Sequence, residues 1–402
     1  MTRDPGRTGP LSGIRVVDLS RILAGPFCTM NLGDMGAEVI KIEQPGKGDD
    51  TRGWGPPFVG GEAAYFLGVN RNKRGMTLNL KDPRGLEVLR SLLRSADVIV
   101  ENFRTGTLEN WGITREWRER EAPRLVHCEI SGYGDEGPRS GMPGYDFLMQ
   151  AECGLMSITG APDGEPMKLG VAIVDVCTGM YASMGILAAL NDRNRTGRGQ
   201  KFEVSLYSTG LSMLVNVASN HLASGREPGR YGNGHPNIVP YRAFECSDGS
   251  IALAVGNDSQ FSRLAECLNH PEWSADDRFA RNADRVRNRE AIDALISEAL
   301  AERSVDACLE QLRERNIPCS PINGVHEAIA DPQTAACDMI AELEHPTAGA
   351  IRMLGIPYSF SDTPASVELP PPRLGSDTEA ILSEALHLDP ETIAKYRRDG
   401  VI

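Results

Sequence analysis

Four short apolar runs alternate with helix-period stretches early in this chain, and that alternation restricts the possible fold more than any other feature. Ile14–Leu19, Glu38–Glu43, Asp97–Asn102 and Leu125–Ile130 have the length and apolar content of buried strands. Between the first two, Ala24, Gly25 and Pro26 lead into a helical run from Phe27 to Met35. Pro83 opens a second helix with apolar residues at Leu86, Leu89, Leu92 and Leu93. Strands and helices alternating at this spacing predict an α/β fold with a parallel, doubly wound sheet. Ligands in such sheets sit outside the C-terminal strand ends. Those ends are Ser20-Arg21, Gln44-Pro45, Asn102-Phe103 and Ser131-Gly132-Tyr133.

From about Gly225 the character changes. Residues 225–235 are rich in Gly and Arg and read as a loop. A second α/β region follows, with helical runs near 259–269 and 288–315, and the tail from about Asp331 returns to short strands and a C-terminal helix. A chain of 402 residues has the length for one large and one small domain.

Residues 171–190 are almost wholly apolar or small, yet contain Asp175. Thr178 and Ser183 join that carboxylate in arguing against a membrane span, as does a mean hydropathy of −0.29 for the whole chain. A buried carboxylate costs several kcal/mol unless it is paired or used. On a helix, Asp175 would lie near the N-terminus, where free N–H groups and the dipole would keep it ionised. It then reads either as a nucleophile or base, or as a helix cap or the partner of a buried Arg.

Charge and cysteines exclude several classes. A net charge of −13 disfavours nucleic acid and anionic membrane as partners, while allowing a local basic pocket for a phosphorylated ligand. Nine scattered cysteines without a CxxC, and histidines without ligand spacing, argue against zinc and disulfide frameworks. Many reduced cysteines and an N-terminus without a secretory apolar run point to a cytoplasmic protein. Walker-type, GxGxxG and GxSxG motifs are absent. The Gly- and Pro-rich stretch 45–61 is long enough to be a functional loop. Asn70–Arg74 clusters three cations, read either as a solvated turn or as a phosphate site.

Taken in order, Leu19–Pro26, Glu38–Glu43, Asn70–Arg74, Val100–Arg104, Gly132–Gly134, Gly144-Tyr145-Asp146, Gly170–Leu190 and Thr196–Gln200 closely resemble the class III CoA-transferases. This is the formyl-CoA transferase, carnitine CoA-transferase and bile-acid-inducible group, and the resemblance runs from about residue 10 to the C-terminus. It implies an interlocked homodimer, each chain a large Rossmann-like domain threaded to a smaller α/β domain. On that plan residues 1–10 are a flexible N-terminus and 11–220 the large domain. Residues 221–330 are the small domain with a glycine loop, and 331–402 a segment returning to the large domain.

The resemblance also implies roles. Asp175 matches the family's catalytic aspartate, which attacks the donor acyl-CoA thioester, forming an aspartyl anhydride and then an aspartyl-CoA thioester. Acyl-CoA and small carboxylic acids are the substrates, with no metal and no tightly bound cofactor. Ile22, Leu23 and Ala24 match residues lining the CoA pocket. Lys73 and Arg74 fit the CoA phosphates, Asn102 and Phe103 the pantetheine arm, and Tyr133 a position near the thioester. Gly232, Asn233 and Gly234 match a glycine loop that closes over the intermediates. Leu23 replaces a Gln of the formyl-CoA transferases, which argues against the oxalate and formyl pair, and Asn110 stands where many members have Arg. A racemase branch carries Gly-His-Asp where Tyr145 stands here; Tyr, with a reference pKa of about 10, is a poor base, so transfer is favoured over isomerisation. Non-catalytic acyl-CoA binding is a third alternative. Residues 24–27, 30–34, 48–52, 54–60 and 238–241 resemble most the succinate–hydroxymethylglutarate (glutarate) CoA-transferase branch, implying succinyl-CoA or a similar donor and a dicarboxylic acceptor. Arg52 and His235 are the cations proposed for the second carboxylate; otherwise Arg52 fixes its loop and His235 bonds backbone.

Overall fold

The computed structural model describes residues 8–402; most of the N-terminal arm expected to be flexible lies outside the described residues. By internal contacts the chain forms two units. One contains the described residues up to Cys153, Gly170–Met213 and Pro332–Ile402; the other contains Gly154–Leu169 and Leu214–Asp331. The second unit thus begins earlier than residue 221 and includes a short excursion from the first.

The first unit is built on six parallel strands: β1 (Arg15–Asp18), β2 (Glu38–Glu43), β3 (Lys73–Thr77), β4 (Val98–Glu101), β5 (Val126–Ser131) and β6 (Lys201–Ser205). Their order is β3-β2-β1-β4-β5-β6, the doubly wound order whose switch point lies between β1 and β4. Central strands β1, β4 and β5 are buried along their whole length, which is why they read as continuous apolar runs. Edge strands β3 and β6 carry Lys, Arg and Glu and went unread in the sequence.

Helix α1 (Ala24–Asp34) follows β1, and α2 (Pro83–Ser95) follows β3 with an amphipathic face on the core. Later come α3 (Asp146–Glu152) and the 24-residue α4 (Ile173–Thr196). Gly179 lets α4 press against α1, because a Cβ there would lie 2.6 Å from the Ala24 carbonyl oxygen. Among the described residues α4 is the one helix long and apolar enough to cross a membrane, but Ala182, Ile186 and Ala189 on one side are in the core of the first unit. Its other side leaves Met180, Tyr181, Met184 and Leu187 exposed. The C-terminal segment lies along β3, where Asn72 Nδ2 donates to the Ser366 carbonyl (2.8 Å) and the Asn79 N–H to that of Val401 (2.8 Å).

The second unit has a three-stranded antiparallel sheet of β7 (Tyr241–Glu245), β8 (Ser250–Ala254) and β9 (Cys319–Pro321). Helices α5 (Asp258–Cys267) and α6 (Val305–Glu314) pack on it around Phe244, Phe261, Leu264 and Leu309.

Candidate active site

Asp175 is the third residue of α4, which lacks a cap of its own from Ala172. Asp146, at the start of α3, supplies it: its Oδ1 accepts from the Val174 N–H (2.7 Å) and the Asp175 N–H (3.3 Å). Gln150 Nε2 donates to the other oxygen at 2.6 Å. The N–H groups expected to hold Asp175 ionised are therefore spent on a second carboxylate. Burial, followed by the Asp146 negative charge, pushes the Asp175 carboxyl up to about 7. The sequence expectation of a carboxylate kept ionised by the helix end is corrected by this arrangement. Tyr65, packed edge-on to Trp54 at 5.3 Å, has its phenol raised by burial and next by the Asp175 charge, so it stands within electrostatic reach of the pair.

Asp175 opens into a cavity of about 490 Å³ at the strand ends of the first unit. Ile22, Leu23, Ala24, Asn102, Phe103, Tyr133 and Tyr145 line it as well, so most of the expected site residues converge there. Ile22 has φ 72°, a left-handed conformation unusual for a β-branched side chain, which costs on the order of 1–3 kcal/mol. The turn is held by Asn102, which accepts from the Arg21 N–H (2.9 Å) and donates to the Arg21 carbonyl (2.7 Å). Asp49 accepts from the Ile22 N–H at 3.2 Å. Gly132 and Gly144 allow the β5 loop and the approach to α3 to touch, since a Cβ on Gly132 would lie 2.8 Å from the Gly144 nitrogen.

Other expected residues are elsewhere. Lys73 is fully buried, donating to Asp18 (3.1 Å), the Pro26 carbonyl (2.9 Å) and Asn70 (2.9 Å). Burial lowers it to about 8 against the pull of Asp18. Its three protons are used, so the phosphate role expected for it is corrected. Burial alone would raise Asp18, but Lys73 and Lys41 outweigh it and hold that carboxyl near about 2. Arg74 pairs with Glu38 and Glu384 on the edge strand and does not line the cavity. The Asn70–Arg74 cluster is thus neither a solvated turn nor a phosphate site, since Arg71 also spends itself on buried Asp34. Arg52 grips Glu43 at 2.7 and 2.8 Å, donates to the Pro372 carbonyl and lies 3.7 Å over the Phe66 ring; it fixes its loop, as the simpler reading had it.

Gly232, Asn233, Gly234 and His235 belong to the second unit. Their segment is anchored there: Gly234 N–H reaches the Tyr231 carbonyl (2.8 Å), His235 N–H that of Tyr241 (3.0 Å), and Arg289 donates to the His235 carbonyl (2.9 Å). Burial and then Arg289 lower the His235 imidazole.

Residues missed in the sequence supply the cavity's charge. Arg21 and Arg104 line it, and Asp146 sets its electrostatics. The Arg21 and Arg104 signal was their place three residues past strands β1 and β4; nothing in the pattern tied Asp146 to α4. A second cavity of about 230 Å³ shares Arg21 and Phe103 with the first and adds Leu19, Leu78, Lys81 and Trp111. One group among the described residues has metal-compatible spacing: Glu101, His127 and Glu129, with ligand atoms within 4.8 Å. The Lys201 ammonium already lies 2.5 Å from Glu129 there, and Glu101 accepts the Phe103 N–H (2.9 Å), which ties this cluster to the cavity wall.

The family model described as CoA-transferase family III matches residues 11–378. A Mus musculus protein named succinyl-CoA:glutarate CoA-transferase is 43% identical over 393 residues, 98% of this chain and 90% of that protein. An Agrobacterium fabrum succinate–glutarate CoA-transferase is 43% identical over 390 residues, covering 96% and 98%. The crystal structure of a CAIB/BAIF family protein from Brucella suis superposes with a TM-score of 0.82 at 42% identity, covering 94% of this chain and all of that one. A conserved-length match of this kind, over a parallel sheet with a carboxylate at its strand-end cavity, places the chain in CoA-transferase family III.

Proposed function

We propose that this enzyme moves CoA from succinyl-CoA to a dicarboxylic acid of the glutarate class, with Asp175 as the covalent carrier. The observation that carries the reading is a half-buried Asp175, pushed up to about 7, facing a strand-end cavity with cations at its rim. A carboxylate so placed is more basic than an ordinary one and still ionised in useful fraction at neutral pH. Its oxygen attacks the thioester carbonyl and CoA thiolate leaves, giving a mixed anhydride. The thiolate attacks the aspartyl carbonyl, releasing succinate and leaving an aspartyl-CoA thioester. The acceptor carboxylate attacks that thioester, forming a second anhydride and freeing the thiolate again. Attack of the thiolate on the acceptor's acyl carbon yields the new acyl-CoA and restores Asp175. One thioester replaces another, so no ATP is consumed.

The pantetheine arm runs past Asn102 and Phe103, and the nucleotide end occupies the adjoining cavity, where Leu78 and Trp111 offer apolar walls and Arg21 and Lys81 positive charge. The active form is a homodimer: the exposed Met180, Tyr181, Met184 and Leu187 face of α4 makes a patch that a second copy covers. No cofactor stays bound, nucleic acid and membrane are not partners, and the protein works in the cytoplasm. The test is chromatographic exchange from succinyl-CoA to glutarate, hydroxymethylglutarate, malate, itaconate or oxalate, with Asp175→Ala as control. New dicarboxylyl-CoA absent from the variant is expected. No exchange with any acid, alongside solvent deuterium entering 2-methylacyl-CoA, would replace transfer by isomerisation.

A further inference from the structure

In the second unit, two thiols stand close together across a clamp that has no part in the transfer chemistry. Cys246 directly follows β7 and Cys308 lies on α6, 62 residues later, at an Sγ–Sγ distance of 3.7 Å. Cys246 is half-buried in a turn whose next three residues are exposed, while Cys308 is 1% exposed. The two segments are tied together by hydrogen bonds on one side of the thiols, after Cys246 and before Cys308. Ser247 N–H donates to the Arg303 carbonyl (2.9 Å), and the Val305 N–H to Asp248 Oδ1 (2.8 Å). Cys246 N–H closes the turn onto the Gly249 carbonyl at 2.8 Å. The sulfurs therefore need to approach by only about 1.7 Å, within reach of side-chain rotation, to meet the roughly 2.05 Å bond length of a disulfide.

We propose that Cys246 and Cys308 form a reversible, peroxide-driven disulfide that staples β7 to α6. The more accessible Cys246 thiol is oxidised first: its sulfur takes the terminal oxygen of a hydroperoxide, the peroxide O–O bond breaks, and water leaves with the thiol proton when the oxidant is hydrogen peroxide. Cys308 sulfur then attacks the sulfenic sulfur, the S–O bond breaks, and the hydroxide departs as water with the Cys308 proton. Two thiols lose two electrons to one peroxide, and two waters form. Burial pushes the Cys308 thiol up to about 12, so it resolves the sulfenate by proximity and is a poor first target for oxidant. A dithiol reductant reverses the bond. This chemistry is independent of the proposed transferase reading, and its test uses no exchange activity.

The full chain is treated with hydrogen peroxide, alkylated, digested without reductant and mapped by mass spectrometry. A crosslinked peptide pair containing Cys246 and Cys308, lost after dithiothreitol, is expected, with a rise of several degrees in Tm that Cys246→Ser does not show. Exposed Cys337 serves as an internal reference for oxidant delivery. If Cys337 is oxidised while Cys246 and Cys308 are recovered as alkylated or singly oxidised thiols in folded protein, the proposal is wrong. The wild-type map alone decides this, so a poorly folding variant does not remove the test.

Discussion

Replacing Asp146 by Asn separates its charge from its capping role. The amide oxygen still accepts the Val174 N–H, now at 2.7 Å, and Gln150 can turn its own oxygen toward the new amide group. What is lost is the negative charge, the second cause after burial of the rise in the Asp175 carboxyl from 3.8 to about 7. Being the smaller cause, it accounts for less than half of the displacement, on the order of one pKa unit or about 1.4 kcal/mol. With its carboxyl near 7, Asp175 is about one-tenth ionised at pH 6; one unit lower it is about half ionised. Asp146→Asn should therefore raise kcat/KM about five-fold at pH 6 and change it less than two-fold at pH 8, moving the acid limb of the profile toward lower pH. Asp146→Ala should show the same electrostatic shift but lose about 1 kcal/mol of stability with the cap. The measurement is kcat/KM for exchange from pH 5 to 9. An acid limb that stays in place in an active Asp146→Asn enzyme would refute the claim that this charge tunes Asp175.

Further outcomes follow from the same structure. Between pH 4 and 7 the folded chain binds more protons at Asp175 than the unfolded chain, so stability from this group falls as pH rises; Asp175→Asn should raise Tm by a few degrees at pH 8 and leave it unchanged at pH 4. Lys73→Met should cost about 3–5 kcal/mol in denaturant unfolding by leaving Asp18 unpaired, and KM for acyl-CoA in the folded fraction should not respond as it would for a phosphate ligand. Lys81→Ala and Arg104→Ala should each raise KM for acyl-CoA roughly three- to ten-fold, an effect that shrinks at high salt, with kcat nearly unchanged. Gly179→Val should destabilise by about 1–3 kcal/mol, read as a lower Tm, because its side chain would meet the Ala24 carbonyl.

The local pattern carried the sheet's centre. β1, β2, β4 and β5 are buried strands, and burial on both faces writes itself as a continuous apolar run, so their ends and the cavity residues beside them were legible. Asp175 was legible too, because a carboxylate in an apolar helix breaks the local pattern. Edge strands β3 and β6 were not, since they carry Lys, Arg and Glu whose charges are paired only in the fold, as Lys73 is with Asp18 and Lys201 with Glu129. Which cations serve a ligand was decided only by the tertiary structure. Lys73 and Arg71 sit in a cluster that read as a solvated turn or a phosphate site, and Arg52 read as a cation for a second substrate carboxylate or as a loop anchor, but their partners Asp18, Asp34 and Glu43 lie 55, 37 and 9 residues away, and folding brings them together. Arg21, which also pairs with Asp50 at 3.3 Å, and Arg104 line the cavity. The state of Asp175 was likewise set by folding, because a carboxylate 29 residues away takes the N–H groups at its helix end. Sequence determines which residues are capable of a chemistry; long-range pairing determines which of them remain free for it.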